Sequence, residues 1–169
     1  MINPISDALV ALSSAGVRYV VVGGVAAVMH GVERVTYDLD LVIELTRESC
    51  LYAIDALLDI GYRSRVPVDP HGFADPQVRE SWVRDKNMMV FSFWDATSRR
   101  AQVDIFVRYP LAFDSLWENA TCIEIEGQVV RLASPAHLVH MKREAGRPKD
   151  IDDIRALGFA IEEDADDQP

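Results

Sequence analysis

Two aspartates separated by one leucine, Asp38 and Asp40, are the residues of this sequence that could most directly do chemistry. Residues two apart in a strand point to the same face, so in a strand the two carboxylates lie side by side while Leu39 turns the other way. Adjacent carboxylates raise each other's pKa unless a cation lies between them. Magnesium prefers a few carboxylates together with substrate phosphates. The pair therefore indicates a magnesium site; the alternative is two solvated acids at the end of a strand.

Two further features could complete such a site. Asp104 stands alone in an apolar strand pattern, either as a third metal ligand or as a buried acid satisfied by a neighbour. Three strand carboxylates could hold two magnesium ions, which clamp the attacking and leaving oxygens of an in-line phosphoryl displacement. Gly23 and Gly24 stand between an apolar segment and a small-residue helix pattern. Glycine lets backbone amides approach a phosphate, although such a pair is more often a plain tight turn.

The elements that must position these residues follow from apolar periodicity, caps and turn residues. We predict strands at 18–22, 36–44, 62–68, 88–93, 101–108, 121–126 and 128–132, with hairpins at 88–108 and 121–132. We predict helices at 5–13, 25–30, 47–60, 110–119, 134–145 and 150–157, and loop within 67–77. Pro110 is expected to begin one helix and Asp150 to cap the last. The pattern predicts one compact α/β or α+β unit.

Composition limits the class of protein. The chain has 169 residues, 49% of them hydrophobic, which suffices for one domain with its own core. Its net charge of -10 argues against strong binding of duplex DNA, which needs a basic surface. We predict a single domain at 1–160 and an acidic, disordered tail at 161–169. Cys50 and Cys122 lack metal or redox spacing, and we see no signal peptide or membrane span, so a cytoplasmic protein is expected.

The order of a Gly-Gly turn, an Asp-x-Asp strand and a later lone strand Asp resembles the DNA polymerase β nucleotidyltransferase superfamily. The segments 22–41 and 142–154 look like its minimal bacterial branch, which includes AbiEii-type and MNT-type toxins. The resemblance implies an α+β nucleotidyltransferase fold, with a mixed central β-sheet flanked by helices and with short C-terminal helices. It also implies an enzyme that uses two magnesium ions to transfer NMP from an NTP and release pyrophosphate.

The same resemblance implies roles for five residues. Asp38, Asp40 and Asp104 are the catalytic residues and the metal ligands, and Asp104 helps to deprotonate the acceptor hydroxyl. Gly23 and Gly24 hold the β- and γ-phosphates. Many members have Gly-Ser at this turn, so here we expect the backbone amides to suffice.

Three more residues are predicted to bind the nucleotide. Arg34 and Thr36 precede the Asp38 strand and could touch phosphate or acceptor, or be ordinary loop residues. Lys142 could reach the triphosphate as a point charge, or be a surface lysine on an amphipathic helix. Arg147 and Lys149 form a basic patch, for which a charged loop beside a helix is the simpler interpretation.

Three functions are consistent with these features. The first is a nucleotidyltransferase acting on the hydroxyl of an RNA end, a protein or a small molecule. In the branch that the sequence resembles, such an enzyme is often the toxin of a toxin–antitoxin pair, which implies an antitoxin protein as a partner. The second is an enzyme that modifies an antibiotic of the aminoglycoside or lincosamide type. The third is a non-catalytic nucleotide-binding module with the same fold.

Overall fold

The computed structural model describes residues 4–159 of the chain. The strands are β1 (Tyr19–Val22), β2 (Asp38–Ile43), β3 (Tyr62–Ser64), β4 (Val90–Asp95), β5 (Gln102–Phe106), β6 (Thr121–Ile125) and β7 (Gln128–Leu132). The helices are α1 (Ser6–Ser14), α2 (Gly23–Met29), α3 (Arg47–Asp59), α4 (Pro76–Lys86), α5 (Phe113–Glu118), α6 (Pro135–Ala145) and α7 (Pro148–Ala156). A 3-10 helix, Pro70–Ala74, precedes α4.

All of these strands join one mixed sheet in the order β3-β4-β5-β2-β1-β7-β6. At its centre, β2 runs antiparallel to β1 and parallel to β5. On one side of β2, the sheet continues outward through the antiparallel pairs β5-β4 and β4-β3. The strand with the acidic pair and the strand with the lone acid are therefore direct neighbours. The predicted mixed sheet with flanking helices is confirmed.

One face of the central strands builds the core and thereby fixes which way the acids point. Leu39, Leu41 and Ile43 of β2 are fully buried, as are Val103 and Ile105 of β5. They share one hydrophobic cluster with apolar residues of α1 and α3. Each fully buried side chain of this kind contributes about 1.5–3 kcal/mol. A slip of the register by one residue would expose all of them, so the alternate residues, which include the acids, are held on the opposite face.

The hairpins predicted at β4-β5 and β6-β7 are confirmed. The ends of other elements differ from the prediction. The strand predicted at 62–68 ends at Ser64, and the helix predicted to begin at Pro110 begins at Phe113. Helix α7 begins at Pro148 with Arg147 as its N-cap residue. Asp150 lies three residues further on and accepts the backbone N–H of Arg147 at 3.2 Å, which is the reciprocal half of a capping box.

Helix α4 was not predicted. The proline and glycine residues around it favour loop, but Asp75 and Pro76 together form a helix start. The Asp75 carboxylate accepts the backbone N–H of Gln77 at 2.8 Å, and Pro76 has the backbone φ that a first helical residue needs.

Three remaining predictions concern the chain as a whole. No helix within residues 4–159 has the length and apolar character needed to cross a membrane. Cys50 is buried and Cys122 is exposed, and neither forms a disulfide. The acidic tail predicted at 161–169 lies outside the described residues.

Candidate active site

Strands β2 and β5 bring the predicted acids together on one face of the sheet. Asp40 pairs in register with Asp104, and Asp38 pairs with Gln102. Residues directly opposite each other on neighbouring strands share a face. Asp38 is exposed, Asp40 is partly buried, and Asp104 is 8% exposed. The three carboxylates therefore lie next to one another at the edge of the core.

The surroundings of Asp40 strongly disfavour its charged form. Burial and the charges of Asp104 and Asp38 raise the pKa of Asp40 from 3.8 to about 7, while a hydrogen bond from the backbone N–H of Gly24 and the charge of Arg147 oppose the rise. Burial also raises the pKa of Asp104, against hydrogen bonds from Ser92 and Gln102. A cation placed among the three acids would relieve this repulsion.

The Gly23-Gly24 turn lies directly against Asp40. Val22, the last residue of β1, pairs with Asp40, and Gly23 follows with a φ of +64°. A Cβ on Gly23 would lie 2.1 Å from Oδ2 of Asp40 and 2.8 Å from its Cγ. Only glycine allows this conformation and this approach together. Gly23 is thus required by its contact with the acid, beyond the needs of a tight turn.

Thr36 and Arg34 lie on the other side of this turn. A Cβ on Gly24 would lie 2.5 Å from Oγ1 of Thr36 and 3.5 Å from Nη2 of Arg34. The Thr36 hydroxyl thus occupies the space that a side chain at position 24 would need. The structure therefore brings Arg34 and Thr36 to the glycine turn.

Lys142 lies in a buried ion-pair network that joins α6 to α7. It is 5% exposed, and its Nζ lies 2.6 Å from Oδ2 of Asp153 and 3.6 Å from Oδ1 of Asp150. Arg34 binds the same Asp153 oxygen at 2.5 Å, and Arg147 binds Asp150 at 2.9 Å. Lys142 is therefore not the surface lysine of the alternative interpretation. Its contact with a triphosphate stays a prediction.

Sequence reasoning missed three residues that surround Asp104. Gln102 donates from Nε2 to both carboxylate oxygens of Asp104, at 2.9 and 3.2 Å. Ser92 pairs with Asp104 across β4 and β5 and hydrogen-bonds to it, and the charge of Arg65 also reaches it. Gln102 could have been found, because it lies two residues from Asp104 in one strand. Ser92 and Arg65 depend on strand pairing that no local signal specifies.

The donor chemistry of this site fits a hard cation. Carboxylate oxygens are the ligands that magnesium prefers, and burial together with the charges of Asp104 and Asp38 raises the pKa of Asp40. Among residues 4–159, however, no three His, Cys, Asp or Glu side chains converge closely enough to hold an ion as they stand. Gln102 donates to both oxygens of Asp104, but each of these oxygens has a second lone pair, so an ion could bind Asp104 without displacing Gln102.

Two cavities, of about 360 and 240 Å³, lie away from the acids, around Leu45 and Tyr109 beyond the C-terminal end of β2. Since Asp38 begins β2 and Leu45 follows its end, these cavities are at the opposite end of the strand and contribute nothing to the acid cluster.

No protein-family model matches this sequence, and a comparison with curated proteins gives no match. Solved structures do match. The lincosamide antibiotic adenylyltransferase LnuA, bound to lincomycin, aligns with a TM-score of 0.58 at 16% identity, over 89% of this chain and 91% of that one. ANT(2″)-Ia in complex with adenylyl-2″-tobramycin gives 0.55 at 18% identity, over 90% and 84%. An antigenic nucleotidyltransferase-like protein from Paracoccidioides brasiliensis gives 0.53 at 20% identity, over 89% and 72%.

These similarities show the nucleotidyltransferase fold that the sequence resemblance implied. At such identities they show the fold alone. Membership of the AbiEii-type or MNT-type branch stays a prediction.

Proposed function

We propose that this chain is a magnesium-dependent nucleotidyltransferase, which transfers NMP from an NTP to an acceptor hydroxyl and releases pyrophosphate. The observation that carries the proposal is the contact between the acid cluster and the glycine turn. Asp40 and Asp104 are paired in register, and Gly23 approaches Asp40 so closely that no other residue fits. The nucleotidyltransferase fold supports the same conclusion.

Asp38 and Asp40 would hold two magnesium ions, with Asp104 as the third ligand. Bound magnesium supplies charge that neutralises the triphosphate and stabilises the departing pyrophosphate. The backbone N–H group of Gly23 would bind the β- and γ-phosphates, because no side chain separates it from the ligand. The N–H group of Gly24 donates to Asp40 in this structure and would join it by exchanging the carboxylate for phosphate. In phosphoryl transfer most of the catalysis is positioning and electrostatics, so these rigid placements are the main contribution of the chain.

We assign to Asp104 the role of general base for the acceptor hydroxyl. The acceptor oxygen forms a bond to the α-phosphorus, the bond from that phosphorus to the bridging oxygen breaks, and pyrophosphate leaves with the electron pair. Asp104 takes the proton of the hydroxyl. Burial raises its pKa, which improves it as a general base, while Gln102 and Ser92 hold its carboxylate in place.

Arg34 and Arg147 are the cations we expect to lie nearest the triphosphate. Arg34 lies beside Gly24, and the charge of Arg147 reaches Asp40. Lys142 would contact phosphate only by leaving Asp153, with which it forms a buried ion pair. We propose that its first role is to fix α7, and that it thereby keeps Arg34 in place.

The test is label transfer. The pure protein is incubated with α-labelled NTPs, magnesium and a cell lysate, and transfer is compared with that of Asp38→Asn and Asp40→Asn. Asp59→Asn, which changes an exposed acid at the end of α3, is the control for the loss of one charge. We expect transfer by the wild type and the control alone. Absence of any transfer that depends on Asp38 and Asp40 would refute an active enzyme. Tight magnesium-dependent NTP binding without turnover would then identify a non-catalytic nucleotide-binding module.

A second candidate is modification of an antibiotic. Two structural neighbours were solved with an antibiotic bound, one with lincomycin and one with adenylyl-2″-tobramycin. Each aligns with about nine-tenths of this chain. A role as a toxin controlled by an antitoxin protein rests on the sequence resemblance alone. Expression in a drug-sensitive host separates the two: resistance supports the antibiotic acceptor, and growth arrest in the absence of drug supports the toxin.

A further inference from the structure

The row of residues that crosses the sheet at the level of the acids continues beyond Asp104. Ser92 of β4 pairs with Asp104, and Arg65 donates its backbone N–H to the carbonyl oxygen of Ser92 at 2.9 Å. Directly opposed residues share a face, so Arg65, Ser92, Asp104 and Asp40 all lie on the face of the sheet that carries the acids. The glycine turn lies at one end of this row and Arg65 at the other.

The geometry of the reaction assigns the two ends to different substrates. In an in-line displacement, the attacking and leaving oxygens lie on opposite sides of the phosphorus. The glycine turn at the end of β1 would hold the leaving pyrophosphate. The acceptor must therefore approach from the other side of the acids, where β5, β4 and β3 follow one another.

The surface on that side combines a positive charge with an aromatic ring. Arg65 is exposed and forms no ion pair within residues 4–159, although its charge reaches Asp104. Its neighbour Arg63 is engaged elsewhere, since it donates to the carbonyl oxygen of Tyr62 at 2.7 Å. Trp94 lies two residues beyond Ser92 in β4, on the same face of the sheet as the acids, and is 40% exposed. An acceptor that approaches Asp104 from this side therefore passes the positive charge of Arg65.

We propose that Arg65 and Trp94 form the acceptor subsite of the proposed transfer, on which this inference rests, and that they select an acceptor bearing a phosphate and a planar ring near its reacting hydroxyl, as in a nucleotide. The guanidinium group binds the phosphate through charge-assisted hydrogen bonds. The indole ring stacks on the planar ring, as aromatic side chains do with bases. A polycation such as tobramycin would instead be repelled by Arg65.

The experiment measures transfer of α-labelled NMP, with magnesium, to four probes: adenosine, adenosine 5′-monophosphate, a short single-stranded RNA with a free 3′ hydroxyl, and tobramycin. The variants are Arg65→Ala, Trp94→Ala and the conservative Trp94→Phe. Arg47→Ala is the matched control, because Arg47 is also exposed and unpaired within the described residues but begins α3 at the far end of the sheet. Calorimetry with a non-hydrolysable NTP measures the donor side separately.

We expect the wild type to label the monophosphate or the RNA in preference to adenosine and tobramycin. Arg65→Ala and Trp94→Ala should each raise the KM for that probe about tenfold to a hundredfold, with kcat and NTP binding little changed. Trp94→Phe should recover most of the loss, and Arg47→Ala should behave as the wild type. Labelling of the monophosphate identifies a free nucleotide as the acceptor, and labelling of the RNA alone identifies a strand end.

Several outcomes would overturn the inference while leaving the proposed function intact. These are equal labelling of adenosine and its monophosphate, a preference for tobramycin, equal effects of Arg65→Ala and Arg47→Ala, or magnesium-dependent NTP binding without labelling of any probe. Failure of the wild type to bind NTP with magnesium would instead refute the proposed function itself.

Discussion

Replacement of Asp40 by asparagine should stabilise the metal-free protein while it abolishes nucleotidyl transfer. The pKa of Asp40 is about 7 instead of 3.8, because the carboxyl is buried beside Asp104 and Asp38. At about 1.4 kcal/mol for each pH unit, ionisation of Asp40 costs the folded chain about 4 kcal/mol. Asparagine has the same shape without the charge, and its side-chain oxygen can still accept the N–H of Gly24. We therefore expect a gain of about 2 to 4 kcal/mol in the free energy of unfolding above neutral pH.

The sign of the pH dependence follows from the raised pKa. Between the unfolded value of 3.8 and the folded value of about 7, the folded protein binds a proton that the unfolded chain has released. The free energy of unfolding of the wild type should therefore decrease as the pH rises from about 4 to about 7 and level off above it. Asp40→Asn lacks this decrease, so the two proteins should converge below about pH 4 and differ fully above about pH 7.

Urea unfolding, followed by circular dichroism in the presence of a chelator, measures this difference at acidic, intermediate and alkaline pH. Asp59→Asn is the control, because it removes the same charge from an exposed position and should change the free energy by less than about 0.5 kcal/mol. Addition of magnesium should stabilise the wild type more than Asp40→Asn, since the ion binds the folded protein through the acids.

Two results would contradict this reasoning. If Asp40→Asn is no more stable than the wild type at alkaline pH without metal, burial and the neighbouring acids do not disfavour the charged form of Asp40 as the structure indicates. If Asp40→Asn retains magnesium-dependent transfer, Asp40 is not a metal ligand.

Three other substitutions test the surroundings of the acids. Gly23→Ala should destabilise the chain by at least about 1 kcal/mol and abolish NTP binding, because its Cβ would lie 2.1 Å from a carboxylate oxygen; calorimetry that finds unchanged binding would contradict this. Asp153→Asn should cost about 1.5–3 kcal/mol in thermal unfolding, because it removes the charge that Lys142 contacts at 2.6 Å and leaves it only Asp150 at 3.6 Å; a loss below 1 kcal/mol would show that the pair is dispensable. Gln102→Ala removes hydrogen bonds that favour the charged form of Asp104 and should move the acidic limb of the pH–rate profile upward, whereas an unmoved limb would assign that limb to another group.

The sequence was sufficient where the signal is local. Alternation along β2 predicts that Asp38 and Asp40 lie on one face of the strand and Leu39 on the other. Because Leu39 is buried in the core, the two acids must lie on the face away from it. The same alternation identified Asp104 in β5. The pairing of Asp40 with Asp104 joins residues far apart in the chain, and only the family resemblance, not periodicity, suggested that these acids meet.

The surroundings of the acids required the folded chain. Lys142 has an ordinary amphipathic helix pattern, and its burial depends on Asp153 of the next helix, which folds back on it. Arg65 and Ser92 reach Asp104 only because β3 and β4 add to the edge of β5. Helix α4 escaped prediction for a different reason. The prolines and glycine that precede it are strong loop signals, and the capping residue Asp75 is a weaker signal for a helix start.

The glycine at position 24 also gains a physical explanation from the fold. Many proteins of the superfamily that this sequence resembles have serine there, which places a hydroxyl at the turn. In this chain Oγ1 of Thr36 lies 2.5 Å from where a Cβ on Gly24 would be. A serine side chain at position 24 would therefore overlap the side chain of Thr36, and in this chain Thr36 occupies that space. The hydroxyl of Thr36 thus reaches the glycine turn from the neighbouring segment, so the Gly-Gly sequence is no argument against phosphate binding. We expect Thr36→Val to weaken phosphate binding, because it removes that hydroxyl.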